Sequence, residues 1–97
     1  MIRLERWVTK PDVVTLHVQF TGWDEDGGNG YDILDWLHEL GITADRYADG
    51  DRVLLRLVTR ERSESIAEPG WWFIIGTRNE VYAISPEVHS DKYRRAS

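Results

Sequence analysis

Residues 68–86 read Glu68-Pro69-Gly70-Trp71-Trp72-Phe73-Ile74-Ile75-Gly76-Thr77-Arg78-Asn79-Glu80-Val81-Tyr82-Ala83-Ile84-Ser85-Pro86. Pro-Gly marks a turn, the apolar run after it is typical of a strand, and Arg78-Asn79 turns the chain into a second strand. Asn tolerates positive φ better than other non-glycine residues, so we expect Asn79 in the left-handed region. The segment therefore predicts an antiparallel hairpin around which a sheet is built.

The first strand of this hairpin is apolar on both faces. Trp72 and Ile74 share one face, which we expect to be core. The other face is either covered by the rest of the chain, as in a central strand, or exposed as a partner-binding surface. Trp and Tyr are enriched at binding hot spots, and we predict a protein interface formed by Trp23, Trp71, Phe73, Ile75 and Tyr82.

Residues 12–20 alternate with a period of two, which predicts a strand. Its apolar side should face the core, and Thr15, His17 and Gln19 should face solvent. A second strand is predicted at 52–60, and residues 1–10 form either an edge strand or a loose arm. The predicted core consists of Val14, Leu16, Val18, Phe20, Ile33, Trp36, Leu37, Leu40, Leu55, Leu57, Trp72, Ile74, Val88 and Tyr93.

One helix is predicted over residues 30–41, where apolar residues recur at steps of three and four. Asn29 is placed to cap its start, and Gly41 is a natural stop. Ser85-Pro86 begins a short C-terminal helical turn. The expected fold is α+β: a four- to five-stranded antiparallel sheet with one helix packed on a face, in a single domain of residues 1–97.

Composition restricts the classes of function. The net charge of −5 disfavours nucleic acid as a partner and suits solubility or a basic partner. There are no cysteines, so disulfides and thiolate chemistry are excluded. No apolar run approaches the length of a membrane span, and we expect a cytoplasmic protein with no membrane partner.

No pattern for catalysis emerges. His17, His38 and His89 lie on different predicted elements without metal-binding spacing, and no serine stands in a nucleophile elbow. The glycine-rich residues 27–30 precede a helix and are suited to an anion, but nearby carboxylates would repel a phosphate. We therefore expect no enzyme, no catalytic residue, no metal site and no cofactor.

The motif Pro69-Gly70-x-Trp72-x-Ile74-x-Gly76, continued by Glu80-x-Tyr82 and by Pro86-Glu87-Val88, resembles a family of small phage and prophage proteins. That family carries a Pro-Gly-Asp-Trp/Tyr (PGDYG-like) signature, a hairpin and a Pro-Asp-aliphatic turn. The resemblance covers about residues 10–93. This chain departs from it at Trp71, Asn79 and Ala83, where the family has Asp, Gly and Pro.

The resemblance implies a phage origin and this fold, but no reaction. We therefore expect a small phage-encoded interaction protein in the host cytoplasm. It would bind a host or phage protein, for example to block a host process or defence system, or bind itself as a homodimer. The alternative is a protein that sequesters a small ligand or nucleotide in a pocket with convergent polar groups.

Overall fold

The computed structural model describes residues 2–9, 13–58, 63–76 and 80–95. It contains eight strands, two helices and one 3₁₀ turn. In chain order these are β1 (Glu5–Thr9), β2 (Val14–Gln19), the 3₁₀ turn (Asp24–Asp26), α1 (Gly30–Glu39), β3 (Ala44–Asp49), β4 (Arg52–Val58), β5 (Glu64–Ala67), β6 (Trp72–Ile75), β7 (Val81–Ile84), α2 (Pro86–Lys92) and β8 (Tyr93–Arg95).

The strands form two antiparallel sheets. The larger sheet has the order β7-β6-β2-β1-β8, and the smaller has the order β3-β4-β5. The predicted hairpin is β6–β7, in which Trp72 pairs with Ile84 and Ile75 with Val81. The predicted α+β class is confirmed, and a three-stranded sheet is added to the expected one.

The main core lies on one face of the larger sheet, which we call the core face. Residues of β2, β6 and β7 pack there against α1 and the smaller sheet. The cluster comprises Val18, Phe20, Trp23, Ile33, Leu34, Leu37, Ala44, Leu55, Leu57, Ala67, Phe73 and Val81. It contains six of the predicted core residues, and the predicted core residue Trp36 packs against its border.

The opposite face of the larger sheet, here the aromatic face, is also covered. Trp72 and Ile74 are buried there, as predicted, but outside the main core. The prediction for β2 is half wrong: Thr15 and His17 are buried, whereas Val14 and Leu16 are exposed. The reason is topological, because β2 lies between β1 and β6, and α2 covers its polar side.

Helix α2 presents a different residue to the sheet from the one expected. His89 is buried and Val88 is exposed, so the predicted core position is wrong by one residue. Ser85 caps the helix through its Oγ, which accepts from the Val88 backbone N–H at 3.4 Å, and Pro86 occupies the first turn. Tyr93, half-buried on the aromatic face, follows directly.

The ends of α1 follow the sequence only in part. Gly41 has φ of 79°, the left-handed conformation expected of a helix stop. Asn29 makes no side-chain cap bond. Its amide instead joins the helix start to the end of β2, accepting from the Thr21 N–H and donating to the Gln19 carbonyl oxygen. Leu40, expected in the core, is exposed.

Three strands differ from the sequence expectation. Part of the predicted edge strand or arm at residues 1–10 is β1, an inner strand between β2 and β8. Residues 44–49, expected to be a connection, form β3, and the C-terminal residues 93–95 form β8. The predicted Asp-Gly turn is present, with Gly50 at φ of 61°. Pro11, the turn expected at Arg78-Asn79 and residues 60–62 of a hairpin tip expected at 60–64 lie outside the described residues, and Glu64 already belongs to β5.

Candidate functional site

Two residues of the predicted interface are buried in the main core. Phe73 is fully buried and Trp23 is 3% exposed. Phe73 lies on the core face of β6, which is covered by this chain itself, and Trp23 donates its Nε1–H to the Val53 carbonyl oxygen at 3.0 Å. The prediction that these two side chains are exposed is therefore wrong.

The other three predicted residues are half-buried and do not share one surface. Trp71 and Ile75 pack against the border of the main core. Tyr82 lies on the aromatic face, with its hydroxyl oxygen 3.3 Å from that of Tyr93, and burial raises the pKa of Tyr82. A single binding surface made of these residues is therefore not present on the described fold.

The exposed apolar residues lie elsewhere. Val13, Val14 and Leu16 are exposed at one end of the larger sheet. Leu16 pairs with Ile75, so this strip touches one predicted interface residue. Positions 10–12 and 77–79 lie outside the described residues.

A groove lies between α1 and the N-terminal residues 2–4. It has a volume of about 410 Å³ and combines an apolar floor with an acidic rim: Ile2, Leu4 and Trp36 form the floor, and Asp32, Asp35 and Glu39 form the rim. The four helix residues fall within an arc of about 100° at 3.6 residues per turn. The local sequence therefore places three carboxylates beside one tryptophan on one helix face.

Two of the three rim carboxylates, those of Asp35 and Glu39, carry charge that no described residue balances. All six lining residues belong to the described parts of the chain, and none of them is basic. Asp35 and Glu39 are exposed and form no ion pair with any other described residue. His38, on the same helix, donates its Nε2–H to the Ala44 carbonyl oxygen at 2.9 Å. The groove is thus chemically suited to a cation that also carries apolar surface.

The groove was not predicted from the sequence because the helix residues and residues 2–4 were interpreted separately. The carboxylates of α1 were interpreted as a solvated face and Trp36 as core. A usable signal was present: Trp36 lies at the boundary between the buried stripe and the acidic face of the helix. The missing information was that Ile2 and Leu4 pack against the core beside it.

A second cleft, of about 370 Å³, lies near Trp23 and contains two arginines. Because of its two arginines, this is the cleft in which we looked for a site for a small anionic ligand. Arg46 Nη1 lies 2.7 Å from Glu25 Oε1 and its guanidinium lies over the Trp23 ring, while Arg52 Nη1 lies 2.6 Å from Glu68 Oε1. Both arginines are already paired with carboxylates, so a phosphate would have to displace these carboxylates.

No group of three or more His, Asp or Glu side chains that could hold a metal ion occurs among the described residues. No helix in the described ranges is long and apolar enough to cross a membrane. We found no significant match between this chain and any protein-family model, curated protein or solved structure.

Proposed function

We propose that this protein is a small protein-interaction module and that its partner inserts a basic, amphipathic segment into the groove between α1 and residues 2–4. The observation that carries the proposal is an apolar floor containing Trp36 beside the exposed carboxylates of Asp35 and Glu39, which form no ion pair with any described residue. The net charge of −5 favours encounter with a basic partner.

Lysine and arginine fit this groove for two physical reasons. Their aliphatic stems cover apolar surface while the charged end reaches the rim. A guanidinium or ammonium over an indole also gains about 0.5–2 kcal/mol, depending on how far it is desolvated. The chain already contains this arrangement at Arg46, which lies 5.0 Å from the Trp23 ring centroid. The resemblance to phage proteins supports a host or phage protein in the host cytoplasm as this partner.

The test is binding of a defined peptide that alternates leucine and lysine, measured by isothermal titration calorimetry at low salt. The variant is Asp35→Lys/Glu39→Lys, which reverses charge on the rim. Both side chains are exposed, and lysine is as good a helix former as glutamate, so the fold should be retained. We expect at least a tenfold loss of affinity.

The matched control is Glu87→Lys/Asp91→Lys, which makes the same change of net charge on exposed residues of α2. We expect less than a threefold effect from it. Equal losses in the two variants would mean that the peptide responds only to net charge, and this would overturn the proposal. So would wild-type protein that binds the lysine peptide no better than a matched glutamate peptide.

A further inference from the structure

The aromatic face contains a pair of histidines that the proposed function does not use. His17 on β2 is fully buried and His89 on α2 is 3% exposed. His17 Nδ1 lies 2.8 Å from His89 Nε2, and His17 Nε2 lies 2.6 Å from Thr15 Oγ1. Three polar groups are thus joined in a buried chain that links α2 to the middle of the sheet.

Aromatic rings enclose this chain of hydrogen bonds. The His89 ring stacks on Trp72 at 4.1 Å between centroids and meets the edge of Trp7 at 4.3 Å. Tyr93 packs on His17 at 4.6 Å. The Trp7 Nε1–H is buried and has no hydrogen-bond partner among the described residues. These rings offer an added positive charge no more than a cation–π attraction.

Proton counting shows why acid acts on this pair. When both rings are neutral, one of the two facing nitrogens, His17 Nδ1 or His89 Nε2, carries a hydrogen and donates it to the other. A first added proton keeps the bond between the rings but buries a charge. After a second proton is added, both His17 Nδ1 and His89 Nε2 carry a hydrogen, at their present separation of 2.8 Å. Neither nitrogen can then accept, so the hydrogen bond between the rings is broken.

Helix α2 has little else to hold it on the sheet. His89 is the one buried residue among the seven of α2, all of which are described. β8 adds the pairing of its three residues with β1 and the Arg95–Glu5 ion pair, but Arg94 and Arg95 are exposed and Tyr93 is half-buried. The main core, by contrast, contains no histidine. Protonation therefore acts on the attachment of residues 85–95 and leaves the main core unaffected.

The charged groups around the two histidines do not compensate a positive charge added to them. Glu5 pairs with His17 in the β1–β2 register, but its carboxylate lies 2.6 Å from Arg95 Nη2 of β8. Tyr82 and Tyr93 face the pair from β7 and β8, and burial keeps Tyr82 neutral by raising its pKa. The described charged residues of α2 itself, all exposed, are Glu87, Asp91 and Lys92.

We propose that residues 85–95 form an acid-released latch: double protonation of His17 and His89 detaches α2 and β8 from the sheet and uncovers Trp7 and Trp72. Burial lowers the pKa of each histidine to about 4, with the His89 charge a further cause for His17. Because ordinary histidine titrates near 6.5, the released form takes up protons that the closed form does not. The release should begin below pH 6.5 and show a proton stoichiometry approaching two.

The test is a ¹H–¹⁵N NMR titration of the full chain from pH 7.5 to 4, with the histidine ring resonances followed in parallel. We expect amides of residues 86–95 and the Trp7 and Trp72 indoles to lose their native positions as the His17 and His89 rings titrate. The Trp23 indole and the amides of β6 should keep theirs.

The variant His17→Phe/His89→Phe removes both titrating groups and keeps aromatic rings in place. It should hold the latch closed to pH 4, whereas His38→Phe, at an exposed histidine, should behave as wild type. If the double variant does not fold, the wild-type titration decides alone. Loss of all native resonances together, or a closed latch at pH 4 in the wild type, would overturn the proposal.

Discussion

The indole of Trp23 joins three parts of the chain through one side chain. It donates to the Val53 carbonyl oxygen in β4, meets Phe20 edge-on at 5.5 Å and lies against the first residue of α1. From the sequence it was expected to belong to a protein interface. Its burial was not predictable, because the residues that cover it come from distant positions in the chain.

Gly30 should resist substitution because of Trp23. A Cβ at Gly30 would lie 2.5 Å from the Trp23 ring. Alanine gains up to about 1 kcal/mol over glycine in a helix, but overpacking costs about 1–3 kcal/mol. We expect Gly30→Ala to lower the free energy of unfolding, measured in urea, and to do so much less in a Trp23→Leu background.

Gly28→Ala is the control for this comparison of Gly30→Ala in two backgrounds. Its Cβ would meet the Gly22 backbone, and Trp23→Leu does not remove that clash. Its cost should be the same in both backgrounds. An equal cost of Gly30→Ala with and without Trp23 would show that the ring is not the obstacle.

His17 illustrates a second limit of sequence reasoning at the scale of one residue. Alternation in β2 correctly separated two sets of side chains, but polarity wrongly assigned Thr15 and His17 to solvent and Val14 and Leu16 to the core. Thr15 and His17 satisfy each other and His89, so a polar set can be buried without unpaired groups. Periodicity reveals which side chains share a face, not which face is covered.

The buried histidines predict the pH dependence of stability. Both have a pKa lowered to about 4, against about 6.5 when unfolded, so the unfolded chain binds more protons between these values. The free energy of unfolding should therefore fall as the pH falls from 6.5 to 4, by roughly 2–4 kcal/mol between pH 7 and 5.

Urea unfolding at half-unit pH intervals measures this slope. In His17→Phe/His89→Phe the slope between pH 6.5 and 5 should largely disappear. Carboxylates such as Asp45, whose pKa is lowered by hydrogen bonds from Arg56, act only at lower pH. A slope unchanged in the double variant would exclude the histidine pair as its source.

At the scale of elements, local signals identified β2, β4, β6, β7 and both helices, each of which has clear periodicity or a recognisable cap. β3 was missed because its residues 44–49 include three charged ones and no apolar alternation. Cross-strand ion pairs compensate for the missing apolar contacts of β3, as in the two hydrogen bonds from Arg56 to Asp45 at 3.0 and 2.7 Å. The candidate groove was missed for a related reason, since it joins two elements.

The charged edge strand predicts unequal effects of two similar substitutions. Arg56 holds Asp45 through two nitrogens and stacks over Tyr47 at 4.7 Å. Arg56→Lys loses the paired geometry and should slightly lower the melting temperature, since exposed ion pairs contribute little to stability. Arg52→Lys, at a more exposed arginine, should have a smaller effect. The melting temperatures of both variants are measured by thermal unfolding. Equal decreases in the two would contradict this interpretation.

At the scale of the whole molecule, the larger sheet is covered on both faces, and its strands should differ widely in local stability. β2 and β6 are inner strands with fully buried residues on each face. α2 is attached through His89, and β8 is attached through Tyr93 and its pairing with β1 at the edge of the sheet. Hydrogen exchange at pH 7 should show the highest protection in β2 and β6 and the lowest in residues 86–95. Uniform protection would argue against a separable latch.

The pairing of β1 with β8 has a consequence for how the molecule folds. Trp7 lies opposite Arg95, 95 − 7 = 88 positions along the chain, so one inner strand of the larger sheet acquires its second neighbour only when nearly the whole chain is available. Closing so long a loop is entropically costly before its contacts form. Folding rates fall with such sequence separation. The β3–β4 hairpin can form early and locally, whereas β1 must present an open hydrogen-bonding edge until the last strand arrives, and this interval is when the chain is most exposed to mispairing with its own copies.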